Sequence, residues 1–215
     1  MKKKFILSGI SLLLFFGLIY AIKNIDVNVI GPENTAIGLS KLNEFGHNLF
    51  GYKPLLYKIS DYLGYLCIAA GTAVGIMGIV QLFKRKSFFK VDEEIYAFAV
   101  LLVVILTLYV VFEIVVINYR PVILEGDLHV EASFPSSHTV LSLCVALGVA
   151  TLLNKYIENI KLRRTFKILL YVLAITTTLL RLISGVHWIS DILGGSLIST
   201  CILLFFSGII DYYNE

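Results

Sequence analysis

Apolar residues run along this chain in six blocks, each of roughly the ~20 residues an α-helix needs to cross the hydrocarbon core of a bilayer. They cover approximately 5–22, 62–83, 95–117, 138–153, 167–186 and 190–210. The fourth is short and polar at its start, and only a tight turn parts the fifth from the sixth. Between the first two blocks Leu39, Leu42, Phe45 and Leu49 recur at helical spacing opposite Ser40, Lys41, Asn43, Glu44 and Asn48. That predicts an amphipathic helix within 36–50, either lying on a leaflet or packing as a lid over the bundle. His47, without an evident partner there, is expected on a solvated face. No strand pattern, internal repeat or low-complexity linker intervenes. The expectation is an all-α, polytopic membrane helix bundle with six transmembrane helices, in a single domain over 1–215.

Composition agrees: 58% of residues are hydrophobic and 15% charged, against roughly 25% charged in a soluble domain. The net charge of +3 matters less than its placement, which points to topology rather than to a nucleic-acid partner. Lys84, Arg85, Lys86 and Lys90 follow the second block, and Lys155, Lys161, Arg163, Arg164 and Lys167 follow the fourth. The positive-inside rule puts these loops, and both termini, in the cytoplasm. The first block follows Lys2-Lys3-Lys4, but Ala21-Ile22-Lys23-Asn24 offers no small-x-small cleavage site, so a retained anchor is expected. Cys67, Cys144 and Cys201 sit apart in apolar runs as core residues, with no metal or redox spacing. Gly71, Gly75 and Gly78 suit close helix packing rather than a phosphate loop.

Ionisable groups at the ends of membrane spans are costly, and each is a functional hypothesis. On this topology Glu113, Arg120, His138, Arg181, His187 and Asp191 all fall on the outer side, while the opposite ends carry only diffuse basic loops. An interfacial arginine commonly snorkels to headgroups, and a lone histidine is commonly a satisfied core residue. Six such groups from four spans favour a shared site. His187 and Asp191, four residues apart, share a face if helix has begun by then, and the carboxylate can fix the imidazole tautomer. Arg120 and Arg181 offer planar forks for phosphate. Pro135-Ser136-Ser137-His138 puts small residues before a helix, either as an anion cradle or as an N-cap.

These residues resemble the type-2 phosphatidic acid phosphatase superfamily, membrane lipid phosphatases that share a site with vanadium haloperoxidases. Its motifs are KxxxxxxRP, PSGH and SRxxxxxHxxxD. Here they read Glu113 to Arg120-Pro121, Pro135-Ser136-Ser137-His138, and Leu180-Arg181 to His187 to Asp191, spanning 113–191 in the same order and spacing. The resemblance implies a lipid phosphatase in the cell membrane with its site on the extracytoplasmic face. His187 would form a phosphohistidine, Asp191 would orient it, and His138 would protonate the leaving oxygen. Arg120, Arg181, Ser136 and the Ser137 amide would hold the phosphate. No cofactor or metal is expected, since no ligand cluster is spaced for one and arginines can meet the phosphate charge.

The chain departs from the pattern at Ser137, Leu180 and Glu113, the last an anion where the family has a lysine. In a continuous helix Glu113 would share a face with Arg120, about 10 Å deeper, and is expected either to pair with Arg120 or Arg181 or to be protonated. The substrate class is a lipid phosphomonoester or pyrophosphate: an isoprenoid carrier, phosphatidate or phosphatidylglycerophosphate. The alternative is an inactive or weakened lipid-phosphate binder silenced by Glu113. A transporter fits less well, since its polar site would lie near the midplane. Oligomeric state is open.

Overall fold

The computed structural model describes residues 1–214 and is built almost wholly of helix. The helices are α1 (Lys2–Asn24), α2 (Ser40–Phe50), α3 (Pro54–Arg85), α4 (Glu93–Ile114), α5 (Ser137–Tyr156), α6 (Ile160–Ile183) and α7 (Ile189–Asn214). All but α2 are long and apolar enough to cross a membrane, six candidate spans among the described residues. The protein is a multi-pass membrane helix bundle. One small element was not expected: Asn28–Val29 (β1) and Ala36–Ile37 (β2) pair antiparallel ahead of α2.

The ends of the helices follow local chemistry. α3 opens on Pro54, whose missing N–H costs nothing in a first turn. It therefore begins two turns before its apolar run and carries Tyr57 and Asp61 within the helix. α4 starts after Asp92 with Glu93 and Glu94 at its positive end. Asn159 caps α6 by accepting the Leu162 N–H at 3.1 Å. α4 stops at Ile114 and does not continue to Arg120 as expected. The β-branched run Ile114-Val115-Val116-Ile117 crowds a helical turn, and Pro121 bars helix at its predecessor.

At the centre lies α5, with 56% of its apolar window buried by packing against α3, α4, α6 and α7. Small residues make this possible: a methyl on Gly71 would lie 3.0 Å from Val145, and one on Gly148 would lie 3.1 Å from Phe98. Gly78 gives the same close approach to Ile95, whereas Gly75 meets nothing. The packing glycines are thus Gly71 and Gly78, two turns apart, rather than a GxxxG pair. The bundle end bearing the basic loops is also less diffuse than expected. Lys155 pairs with Glu94 at 2.6 Å, Lys4 with Asp211 at 2.8 Å, and Lys167 donates to Asn154 at 2.8 Å.

α2 turns its polar edge inward. Asn43 is buried, donates to Ser190 Oγ at 2.9 Å and accepts the Ser190 N–H at 3.1 Å, while Leu42, Phe45 and Leu49 stay exposed. His47 is not on a solvated face: it is half-buried with its ring 5.6 Å from Trp188. Burial holds its imidazole below the ordinary histidine range.

Candidate functional site

The end of the bundle opposite the basic loops gathers the polar residues singled out above. The segment between α4 and α5 brings in Arg120 through a short antiparallel ladder. The Arg120 N–H donates to the Glu131 carbonyl at 3.0 Å, the Ser133 N–H to the Asn118 carbonyl at 2.9 Å, and Tyr119 bridges Ala132. The Trp188 indole donates to the Tyr119 carbonyl at 2.6 Å, tying this ladder to the α6–α7 turn.

That turn carries His187 and depends on Gly185, which adopts φ +70°. Any side chain there would overlap the Gly51 carbonyl. The Lys53 N–H donates to the Ser184 carbonyl at 2.9 Å, so the α2–α3 junction clamps the turn. His187 precedes the first residue of α7 and is not helical. Asp191 still reaches it: Oδ2 lies 3.5 Å from His187 Nδ1, longer than a hydrogen bond, and accepts the Trp188 N–H at 2.9 Å. The Ser136 N–H donates to the Asp191 carbonyl at 3.1 Å, which docks α7 on the start of α5.

The buried His187 ring has the Ser133 backbone and Asp191, at 3.5 Å, as polar neighbours, and Arg120 Nε and Nη1 and Arg181 Nε are buried without a hydrogen-bond partner among the described residues. Such groups are costly unless a ligand meets them. Complete burial, reinforced by the Arg120 and Arg181 guanidinium groups, holds the His187 imidazole well below its ordinary range. A cavity of about 40 Å³ is lined by Arg120, Ser133, Ser137 and His187 together with α4 residues that include Glu113 and the apolar Leu108 and Phe112. The first-turn amides of α5, including that of Ser137, have no acceptor within the helix and are free for an anion. Ser136 is fully buried, its hydroxyl accepting from Thr139 at 3.1 Å.

Both arginines already hold carboxylates, neither of them the expected one. Arg120 pairs with Glu131 at 3.2 Å. Arg181, buried, pairs with Asp61 and lies 4.9 Å over the Tyr57 ring. Glu113 lines the cavity from an exposed position and joins no ion pair among the described residues. With α4 ending at Ile114, the expected Glu113–arginine contact does not form.

Asp61 escaped the reading of the sequence. Its Oδ1 also lies 3.2 Å from His138 Nε2. Tyr57, Asp61 and Gly64 fall on one face of α3, and a methyl on Gly64 would crowd the His138 ring at 3.0 Å. The available signal was Pro54, which moves the helix start outward and turns Asp61 from a loop residue into an ionisable group within a span. Among the described residues, no three His, Cys, Asp or Glu side chains cluster as metal ligands.

A family model described as the PAP2 superfamily matches residues 95–215. Among solved structures, a transmembrane PAP2-type phosphatidylglycerolphosphate phosphatase from Bacillus subtilis is 20% identical over 95% of this chain and 96% of that chain, with a TM-score of 0.65. LpxE of Aquifex aeolicus is 24% identical over 76% of this chain and 92% of that one, with a TM-score of 0.44. At these values the first likeness is one of fold, and the second carries no argument. Among curated proteins no match was found.

Proposed function

The chain belongs to the PAP2 superfamily, and from that premise we propose that it is a membrane lipid phosphatase acting through His187 on the extracytoplasmic face. The observation that carries this reading is one cavity lined by both Arg120, whose Nε and Nη1 are buried without partners among the described residues, and the buried His187 ring, with the buried, unpartnered Arg181 Nε in addition. An anion with several acceptor oxygens, such as a phosphate, suits the guanidinium donors.

The chemistry follows from the groups present. Asp191 faces His187 Nδ1, which leaves Nε2 as the nucleophile, and the depressed basicity of the ring keeps it neutral. Nε2 attacks phosphorus while the bond to the lipid oxygen breaks, and His138 passes a proton to that oxygen. Water then attacks phosphorus as the phosphorus–nitrogen bond breaks, giving its proton to His138 and releasing inorganic phosphate and neutral His187. Arg120, Arg181 and the Ser137 amide stabilise charge on the phosphoryl oxygens, without requiring a metal. Apolar α4 side chains in the cavity lining favour a substrate that keeps its tail in the leaflet.

The experiment is phosphate release by purified protein from a panel of long-chain lipid phosphates. Release that stops in His187→Ala supports the reading. An active panel with a fully active His187→Ala contradicts it.

A further inference from the structure

Beyond the phosphate cradle, the site has one group that touches its acid without belonging to the three motifs. Asp61 Oδ1 meets both His138 Nε2 and the Arg181 guanidinium. We propose that Asp61 is a specificity-determining residue that favours lipid phosphomonoesters over lipid diphosphates. The inference rests on the phosphatase reading above and deepens it.

The two substrate classes differ in what leaves. From a monoester the leaving group is an uncharged lipid alcohol once His138 has supplied the proton. From a diphosphate it is a lipid monophosphate that remains anionic. The leaving oxygen has to lie within hydrogen-bond reach of the His138 ring, which puts the substituent on that oxygen within roughly 6–8 Å of Asp61, judged from hydrogen-bond and ring dimensions. A charge at that separation, at an effective dielectric near 20, is opposed on the order of tenfold or more. The transferred phosphoryl group is common to both classes, so its own repulsion by Asp61 cancels in the comparison.

A neighbouring charge acts in the same direction: Glu113 adds an anion to the cavity wall. Arg181 offsets part of the Asp61 charge, which brings the expected discrimination toward the lower, roughly tenfold end. The second phosphate of a diphosphate therefore adds charge to a site that already carries Asp61 and Glu113. A purely structural Asp61, holding His138 and Arg181 in position, would affect both substrates alike.

The test compares initial phosphate release from dodecyl phosphate and dodecyl diphosphate in the same detergent micelles. For the wild type, kcat/KM is expected to favour the monophosphate by about tenfold or more. Asp61→Asn should narrow that ratio severalfold and Asp61→Glu should keep it. Raising the salt concentration should narrow it in the wild type without any mutation, which keeps the test decisive if a variant does not fold. A wild-type ratio near one or in favour of the diphosphate overturns the proposal, as does an unchanged ratio in an active Asp61→Asn. Release from neither lipid would overturn the phosphatase reading instead.

Discussion

The His187 ring is buried under the influence of the Arg120 and Arg181 guanidinium groups, and this surrounding determines its protonation. Because burial lowers its pKa, the ring stays neutral as pH falls through the ordinary histidine value and gains a proton only well below it. Nitrogen NMR of histidine-labelled protein is therefore expected to show a neutral His187 at pH 6, where a free imidazole is mostly protonated. A titration midpoint near 6.5 would contradict the burial argument. Glu113 gives a second prediction. Since it lines the cavity without holding an arginine, Glu113→Lys should lower KM for a lipid phosphate by roughly tenfold, the scale of one charge-assisted hydrogen bond. Unchanged or raised KM would indicate a supporting role that the geometry does not provide. At this scale the motif residues were legible because ionisable side chains stand out against apolar spans. Asp61 and Glu131 were not: Pro54 could have placed Asp61 within a helix, but its pairing with Arg181, 120 positions away, leaves no local trace, and Glu131 lies in a loop without periodicity.

The six membrane helices were legible as elements because lipid thickness imposes a length and an apolar composition that hydropathy reads directly. Their outer ends were not. α3 begins at Pro54 rather than near 62 because Pro54 suits a first helical turn, and the two added turns carry Tyr57 and Asp61. α4 ends at Ile114 because β-branched crowding and Pro121 act at the backbone, below the resolution of a hydropathy pattern. The amphipathic period of α2 was visible, but not which edge would face inward. Asn43 decides it through its buried bonds to Ser190, next to Asp191. Asn43→Ala, which leaves Ser190 without these partners, is expected to destabilise the protein by about 1–3 kcal/mol. Thermal unfolding in detergent measures this, and an unchanged midpoint would show that α2 is held by other contacts.

Across the whole molecule, the paired charges of the basic end and the phosphate-seeking donors of the other end lie at opposite ends of one bundle. The positive-inside rule is the ground for the proposed orientation, with the basic end in the cytoplasm. Cysteines introduced in 122–134 should react with an impermeant thiol reagent in intact cells, and those in 155–165 should not; labelling of 155–165 from outside would invert the proposed orientation. The central claim is covalent phosphoryl transfer to His187 from a lipid phosphate. Its most direct test is to quench purified protein during turnover of a phosphorus-labelled long-chain lipid phosphate and measure label bound to the protein. Acid-labile label on the wild type, absent from a folded His187→Ala that releases no phosphate, is the predicted result. Phosphate release at the wild-type rate from His187→Ala would contradict it.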